Sequence, residues 1–125
     1  MALGAVPLLV SLLQADLDEA LKEQAAATLS CLAAFYATNR SSIIDAGALP
    51  LVVELLGASE VSTVKEAATL LSNLGKTYAR EVLEAGGMSS LEDMLTMTQD
   101  DSVREVVSEA LKTLQGGVGQ SLISD

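Results

Sequence analysis

The chain has 125 residues, half of them apolar but only 2% aromatic, and carries a net charge of -10 from 17 acidic and 7 basic side chains. That size and apolar share suit one domain able to bury a core, and a Leu/Ala/Val-rich, aromatic-poor mix suits helix-on-helix packing better than a sheet sandwich, so an all-α protein is expected. The charge argues against nucleic acid and anionic membrane surfaces as partners, since both would be repelled, and favours a basic partner if charge selects one. No apolar run approaches the roughly 20 residues that span a bilayer, and the N-terminus lacks the layout of a signal peptide. The lone thiol, Cys31, has no internal partner and fits a reducing compartment, cytoplasmic or nuclear.

In chain order, Ala5 to Gln14 reads as a short helix with Pro7 in its first turn, where a missing N–H costs nothing. Asp16 and Asp18 mark a turn, and a long helix from Glu19 to Tyr36 places Leu21, Ala25, Thr28, Leu29 and Leu32 on one stripe. Asn39 to Ala46 forms a short helix, with Asn39 or Ser41 capping its start; Asn39-Arg40-Ser41 also fits a glycosylation sequon, the weaker reading in a reducing compartment. This helix stops at Gly47, and Pro50 opens the next almost at once, so a sharp corner joins the two.

A medium helix bearing Leu51, Leu55 and Leu56 and a long one bearing Ala67, Leu70, Leu71 and Leu74 follow. Lys76 to Ala85 supplies another short helix, with Tyr78, Val82 and Leu83 inward, ending at Gly86-Gly87. In the last unit Ser90 replaces the proline, and Thr96 stands where Leu13 and Leu56 stood, as in a terminal repeat with one face in water. Gly116-Gly117-Val118-Gly119 is expected to end the last long helix and lead into a flexible tail over 117–125. The glycines Gly4, Gly47 and Gly87 recur at about 40 residues, a helical-solenoid period. One domain over 1–116 is expected, in units of about 4–38, 39–76 and 77–116, the first lacking its short helix.

A glycine, a proline three residues later, paired leucines and a long helix with Ala67-Ala68, Leu71 and Asn73-Leu74 resemble the armadillo repeat. The likeness runs from Gly4 to Gln115 and is strongest in the first two units. Gly47-Ala48-Leu49-Pro50 with Lys65-Glu66-Ala67-Ala68-Thr69 looks most like repeats attached to plant-type U-box ubiquitin ligases, although no U-box is present. HEAT repeats are the nearest structural alternative, with a two-helix unit that would not require the 39–46 helix.

The resemblance implies an armadillo-type right-handed α-solenoid of about three repeats, whose long helices line a concave groove for an extended peptide. In members that import nuclear cargo each long helix presents a Trp and, four residues on, an Asn; here those positions are Ala27, Thr69 and Glu109, and Cys31, Asn73 and Thr113. Only Asn73 is retained, which weakens the import-type reading. By the same helix-face logic the groove lining is Glu23, Ala27, Ser30 and Cys31; Lys65, Thr69, Asn73 and Lys76; and Glu105, Glu109, Lys112 and Thr113. Asn73 stands out because Asn is a poor mid-helix residue unless its amide is used.

No histidine is present, so the commonest general base and neutral metal ligand are missing, and no cofactor or metal is expected. The carboxylate pairs Glu92-Asp93 and Asp100-Asp101 fit helix starts and solubilising charge, not a calcium loop. The chain therefore reads as a non-enzymatic, protein-binding scaffold, such as a piece of a ligase's substrate-binding array. The alternative is a homodimer stacked through an open N-terminal end that leaves Val6, Leu9, Val10 and Leu13 without a neighbour.

Overall fold

A computed structural model describes residues 4–14, 16 and 18–124, with side chains as far as Gly117. Among the described residues seven helices follow one another: α1 (Ala5–Ser11), α2 (Glu19–Phe35), α3 (Ala37–Asp45), α4 (Ala48–Leu55), α5 (Val61–Glu84), α6 (Gly87–Met97) and α7 (Asp101–Ser124). No strand occurs among the described residues. The long helices α2, α5 and α7 lie side by side in one layer, α5 in the middle. The shorter α1, α4 and α6 back them, each packed on the long helix of its own unit. This is the three-unit solenoid expected from the repeat.

Burial around α5 explains the stacking. Thr63, Val64, Ala67, Ala68, Leu70, Leu71, Leu74 and Gly75 are all buried, and at 3.6 residues per turn they sweep an arc of roughly 160°. A long helix with another long helix on one side only buries a narrower stripe. On α7 the buried set from Val103 to Leu114 covers only roughly 100°. Alanines dominate where long helices touch: Ala26, Ala67, Ala68 and Ala110 are wholly buried. Their small side chains let the backbones approach.

The corners come from glycine. Gly47 (φ 82°) and Gly86 (φ 85°) occupy the left-handed region that side chains avoid, and α4 and α6 begin directly after them. The turning residue of the third unit is thus Gly86, where the sequence spacing singled out Gly87. Gly87 instead makes room for close packing, since a Cβ there would meet Val82 Cγ1 at 2.6 Å. Gly4, the first of the three recurring glycines, has an ordinary right-handed φ of -67°.

Four further expectations are refined or corrected. First, the short helix expected at 76–85 is present but follows the long helix directly: α5 comprises both, separated by a kink at Tyr78 (φ -119°, ψ 41°). Ala79 and Val82 face inward there, while Leu83 is exposed. Second, Val6, Val10 and Leu13 are buried and Leu9 is partly so, against α2 and α3. The N-terminal unit covers these residues itself, which removes the motive for end-to-end dimerisation through them.

Third, Asn39 does not cap its own helix: its Nδ2 donates to the Leu32 carbonyl at 2.9 Å. Arg40 reaches the Ala33 carbonyl at 2.7 Å and Lys76 the Ala34 carbonyl at 3.3 Å, so three successive carbonyls at the end of α2 are closed by side chains. That is how α2 ends without a glycine. The Asn39 amide, the atom a glycan would need, is buried and engaged.

Fourth, α7 runs on through the glycine cluster to Ser124, where a helix end and a flexible tail from 117 were expected; Asp125 lies outside the described residues. Gly75 and Gly117 serve contact between helices, because a Cβ on Gly75 would meet Leu114 Cδ2 at 2.5 Å and one on Gly117 would meet Ala79 Cβ at 2.7 Å. Gly116, by contrast, has open space around it. Glu92 and Asp93 lie inside α6, exposed, and start no helix.

The glycines of α7 differ in what a methyl group would do. Gly116→Ala should raise stability by up to about 1 kcal/mol through helix propensity, whereas Gly117→Ala, which forces α5 and α7 apart, should lower it by about 1–3 kcal/mol; urea melts of the two variants check this. At the start of α7, Asp100 accepts from Ser102 Oγ and from the backbone N–H groups of Ser102 and Val103. The Ser102 hydroxyl, followed by the Val103 amide, holds its carboxyl below the usual 3.8. A depressed folded-state pKa means the stabilisation is present above 3.8 and is lost as pH falls through the lowered value. Asp100→Ala should therefore reduce the melting temperature at pH 7 and have little effect at pH 2.

Candidate functional site

The residues of the long helices that stay out of the core share one face of the layer. On α5, Lys65, Thr69, Asn73 and Lys76 lie on the side opposite the buried arc, with Ser72 beside them. Between α5 and α7 this face is hollowed into an open pocket of about 480 Å3. Five of the residues expected in a groove line it: Thr69 and Asn73 from α5, and Glu105, Glu109 and Lys112 from α7.

Ser72, Val106 and Ser108 also line this pocket, and the helix-face projection leaves them out. A fuller projection of α5 could have found Ser72, since it sits only one position from Asn73 on the turn nearest α7. Val106 carried no signal, because an apolar residue on an amphipathic helix is assigned to core by default.

The remaining expected residues go elsewhere. Lys76, Lys112 and Thr113 line a second depression of about 430 Å3 with Gly75, Gly116 and Gly117. Glu23 lines a third, between α2 and α5. Ala27, Cys31 and Lys65 line none of these; Cys31 is exposed and unpaired, and Lys65 lies near enough to Asp100 to favour its charged form. The expected residues thus gather mainly between the second and third units and are not spread evenly along three.

Hydrogen bonds between the long helices explain the selection. Asn73 Nδ2 donates to the carbonyl oxygen and to Oγ of Ser30 on α2, both at 3.0 Å. A backbone carbonyl only accepts, so the amide nitrogen must face it. The donors of Asn73 are therefore committed to holding α5 on α2, and its oxygen is what remains to serve a ligand. Ser30 is itself buried, a structural partner and not a groove residue.

On the other flank Ser72 Oγ donates to Thr113 Oγ1 at 3.3 Å, and Thr113 Oγ1 donates to the Glu109 carbonyl at 3.2 Å. Thr69 Oγ1 returns to the Lys65 carbonyl at 2.8 Å. The pocket walls are thus bonded in place, while Glu105 and Glu109, one helical turn apart and exposed, leave two carboxylates on its rim. Lys112 is the basic residue among its lining. Such a rim favours a cationic or hydrogen-donating ligand.

The armadillo/β-catenin-like repeat pattern matches residues 2–34 and 38–76. This chain belongs to the armadillo-repeat family. Over 67 residues, 54% of its length, it is 43% identical to the E3 ubiquitin-protein ligase SPL11 of Oryza sativa subsp. japonica, of which it spans 9%. The designed armadillo repeat protein YIII(Dq)4CqI superimposes with a TM-score of 0.78 at 29% identity, over 89% of this chain and 47% of that one. A second design, YIII(Dq.V1)4CPAF, was solved in complex with the peptide (KR)4; it superimposes with a TM-score of 0.81 at 27% identity, over 89% of this chain and 47% of the design. The chain therefore spans about half the length of these designs and a small part of the ligase.

The geometry of this armadillo site predicts an order of variants. Asn73→Ala should lower stability by about 1–2 kcal/mol, one lost inter-helix hydrogen-bonding group. Asn73→Asp should be worse than Ala, because a carboxylate cannot donate to the Ser30 carbonyl and is repelled by it. A solvent-facing Asn would tolerate Asp, so thermal melts of the pair decide the matter.

Proposed function

We propose that this armadillo domain is a protein-binding module that receives an extended peptide segment along the exposed face of α2, α5 and α7, with the pocket between α5 and α7 as its principal contact. The observation that carries this reading is the pocket: polar groups on neighbouring long helices, fixed by inter-helix hydrogen bonds, with free acceptors at Glu105 and Glu109. A preorganised wall loses little entropy when a flexible chain settles on it, and an extended chain exposes the backbone N–H groups that such acceptors meet. The net charge of -10 and the carboxylate rim favour a segment carrying lysine or arginine. The designed relative bound to (KR)4 supports the same chemistry.

The likeness to part of a rice ubiquitin ligase supports a role as the partner-recognising portion of a longer assembly, where the chemistry would be done elsewhere. Armadillo scaffolds of this kind bind and position, and we assign no catalytic step to this chain.

Titration of the 15N-labelled chain with the peptide (KR)4 tests the reading. Shifts should centre on the amides of Thr69, Asn73, Glu105 and Glu109, and the variant Glu105→Gln with Glu109→Gln should bind roughly tenfold more weakly, as expected for the loss of two exposed charges. Shifts scattered over the surface, or equal affinity in the variant, would refute a site at this pocket.

A further inference from the structure

A second site is built between the first turns of α2 and α5. An open cleft of about 340 Å3 separates them, lined by the carboxylates of Asp18, Glu19, Glu23 and Glu60 together with Ser59 and Thr63. No basic residue lines it among the described residues. Two helix N-termini lie here and contribute roughly half a positive charge each. Against four carboxylates that leaves the cleft negative by about three charges, so the helix ends do not turn it into an anion site.

Three of the four carboxylates are held in place. Glu19 accepts from Ser59 Oγ at 3.2 Å and from the Glu60 N–H at 2.9 Å; Glu23 accepts from Ser62 Oγ at 3.0 Å; and Asp18 accepts from the Ala20 N–H at 3.1 Å. These bonds join helices of successive units, at sequence separations of 39 to 41 for the three that cross. They use only part of the acceptor capacity, since four ionised carboxylates present roughly sixteen lone-pair positions.

Thr63 supplies an independent pointer. It is wholly buried, it lines this cleft, and its Oγ1 has no hydrogen-bond partner, the only such buried side-chain atom among the described residues. A buried hydroxyl without a partner is costly and calls for an explanation. Its position beside four carboxylates supplies one if a ligand with several N–H groups enters the cleft.

We infer that this cleft binds the guanidinium group of an arginine side chain presented by a protein partner, with Glu19, Glu23 and Glu60 accepting its N–H groups and Thr63 Oγ1 gaining the partner it lacks. A metal ion fits less well, because no group of three acidic side chains among the described residues converges as a metal site would require. A planar fork of five donors suits carboxylates spread along two helix ends better than a single ammonium does. The site lies apart from the α5–α7 pocket and shares none of its lining residues, so it stands or falls separately.

The test is an amide-resolved titration of the full chain with capped Gly-Arg-Gly, run beside capped Gly-Lys-Gly, capped Gly-Glu-Gly and calcium chloride. The arginine peptide should move the amides of Glu19, Ser59, Glu60 and Thr63 and saturate, the lysine peptide should bind several-fold more weakly, and the glutamate peptide should leave them unmoved. Thr63→Val, which removes the hydroxyl at nearly constant shape, should weaken arginine binding about fivefold while raising the melting temperature. Glu23→Gln with Glu60→Gln should weaken it roughly tenfold. The inference is overturned if the arginine peptide leaves these four amides still, if Thr63→Val binds it as tightly as the parent, or if calcium produces the larger and saturable response. The amides of Thr69, Asn73 and Glu109 report the other pocket in the same spectra, so failure at one site is read independently of the other.

Discussion

The architecture depends on one packing constraint: a long helix whose buried arc is too wide for a single neighbour. On α5 apolar and small residues cover nearly half the circumference, and only a helix on each side with a third behind can remove that surface from water. The order α2, α5, α7 follows, and with it the exposed face, which is simply the remainder of each circumference. Because similar geometry repeats about every 40 residues, polar contacts between long helices recur at that separation too: Glu23 with Ser62, Ser30 with Asn73, and Ser72 with Thr113. The core sets the pitch, and the polar seams fix the register.

Much of this was legible in the residues. Leu70, Leu71 and Leu74 announce a core helix by spacing, and Gly47 with Pro50 announces a corner, because both are decided by local chemistry within a few residues. What escaped the sequence depends on contacts between one helix and another. Gly117 has the same local signature as a helix end, and only the nearness of Ala79 shows that it is there for close approach. Asn39 looks like a cap for the helix it belongs to, yet it closes the helix before.

The candidate site was half legible for the same reason. Helix-face projection put Thr69, Asn73, Glu105, Glu109 and Lys112 on one face, since it needs only the helical period, and these five line one pocket. It could not say that Asn73 spends its donors on Ser30, that Lys76 reaches the end of α2, or that Ala27 and Cys31 take no part in that hollow. Residues that look equivalent by position diverge because each seam between units is chemically different. The same divergence leaves Thr63 unpaired at one seam while its surroundings are richly bonded.

The two left-handed glycines have a wider meaning. Gly47 and Gly86 set the angle between the helices that meet at them, α3 with α4 and α5 with α6, through left-handed backbone conformation, and the space around each is open. Surface composition can therefore drift from unit to unit without bending the superstructure. A substitution at either glycine would instead change the tilt between the helices that meet there and, through it, the spacing of the long helices on either side, so that the curvature of the whole layer is written in two residues outside it.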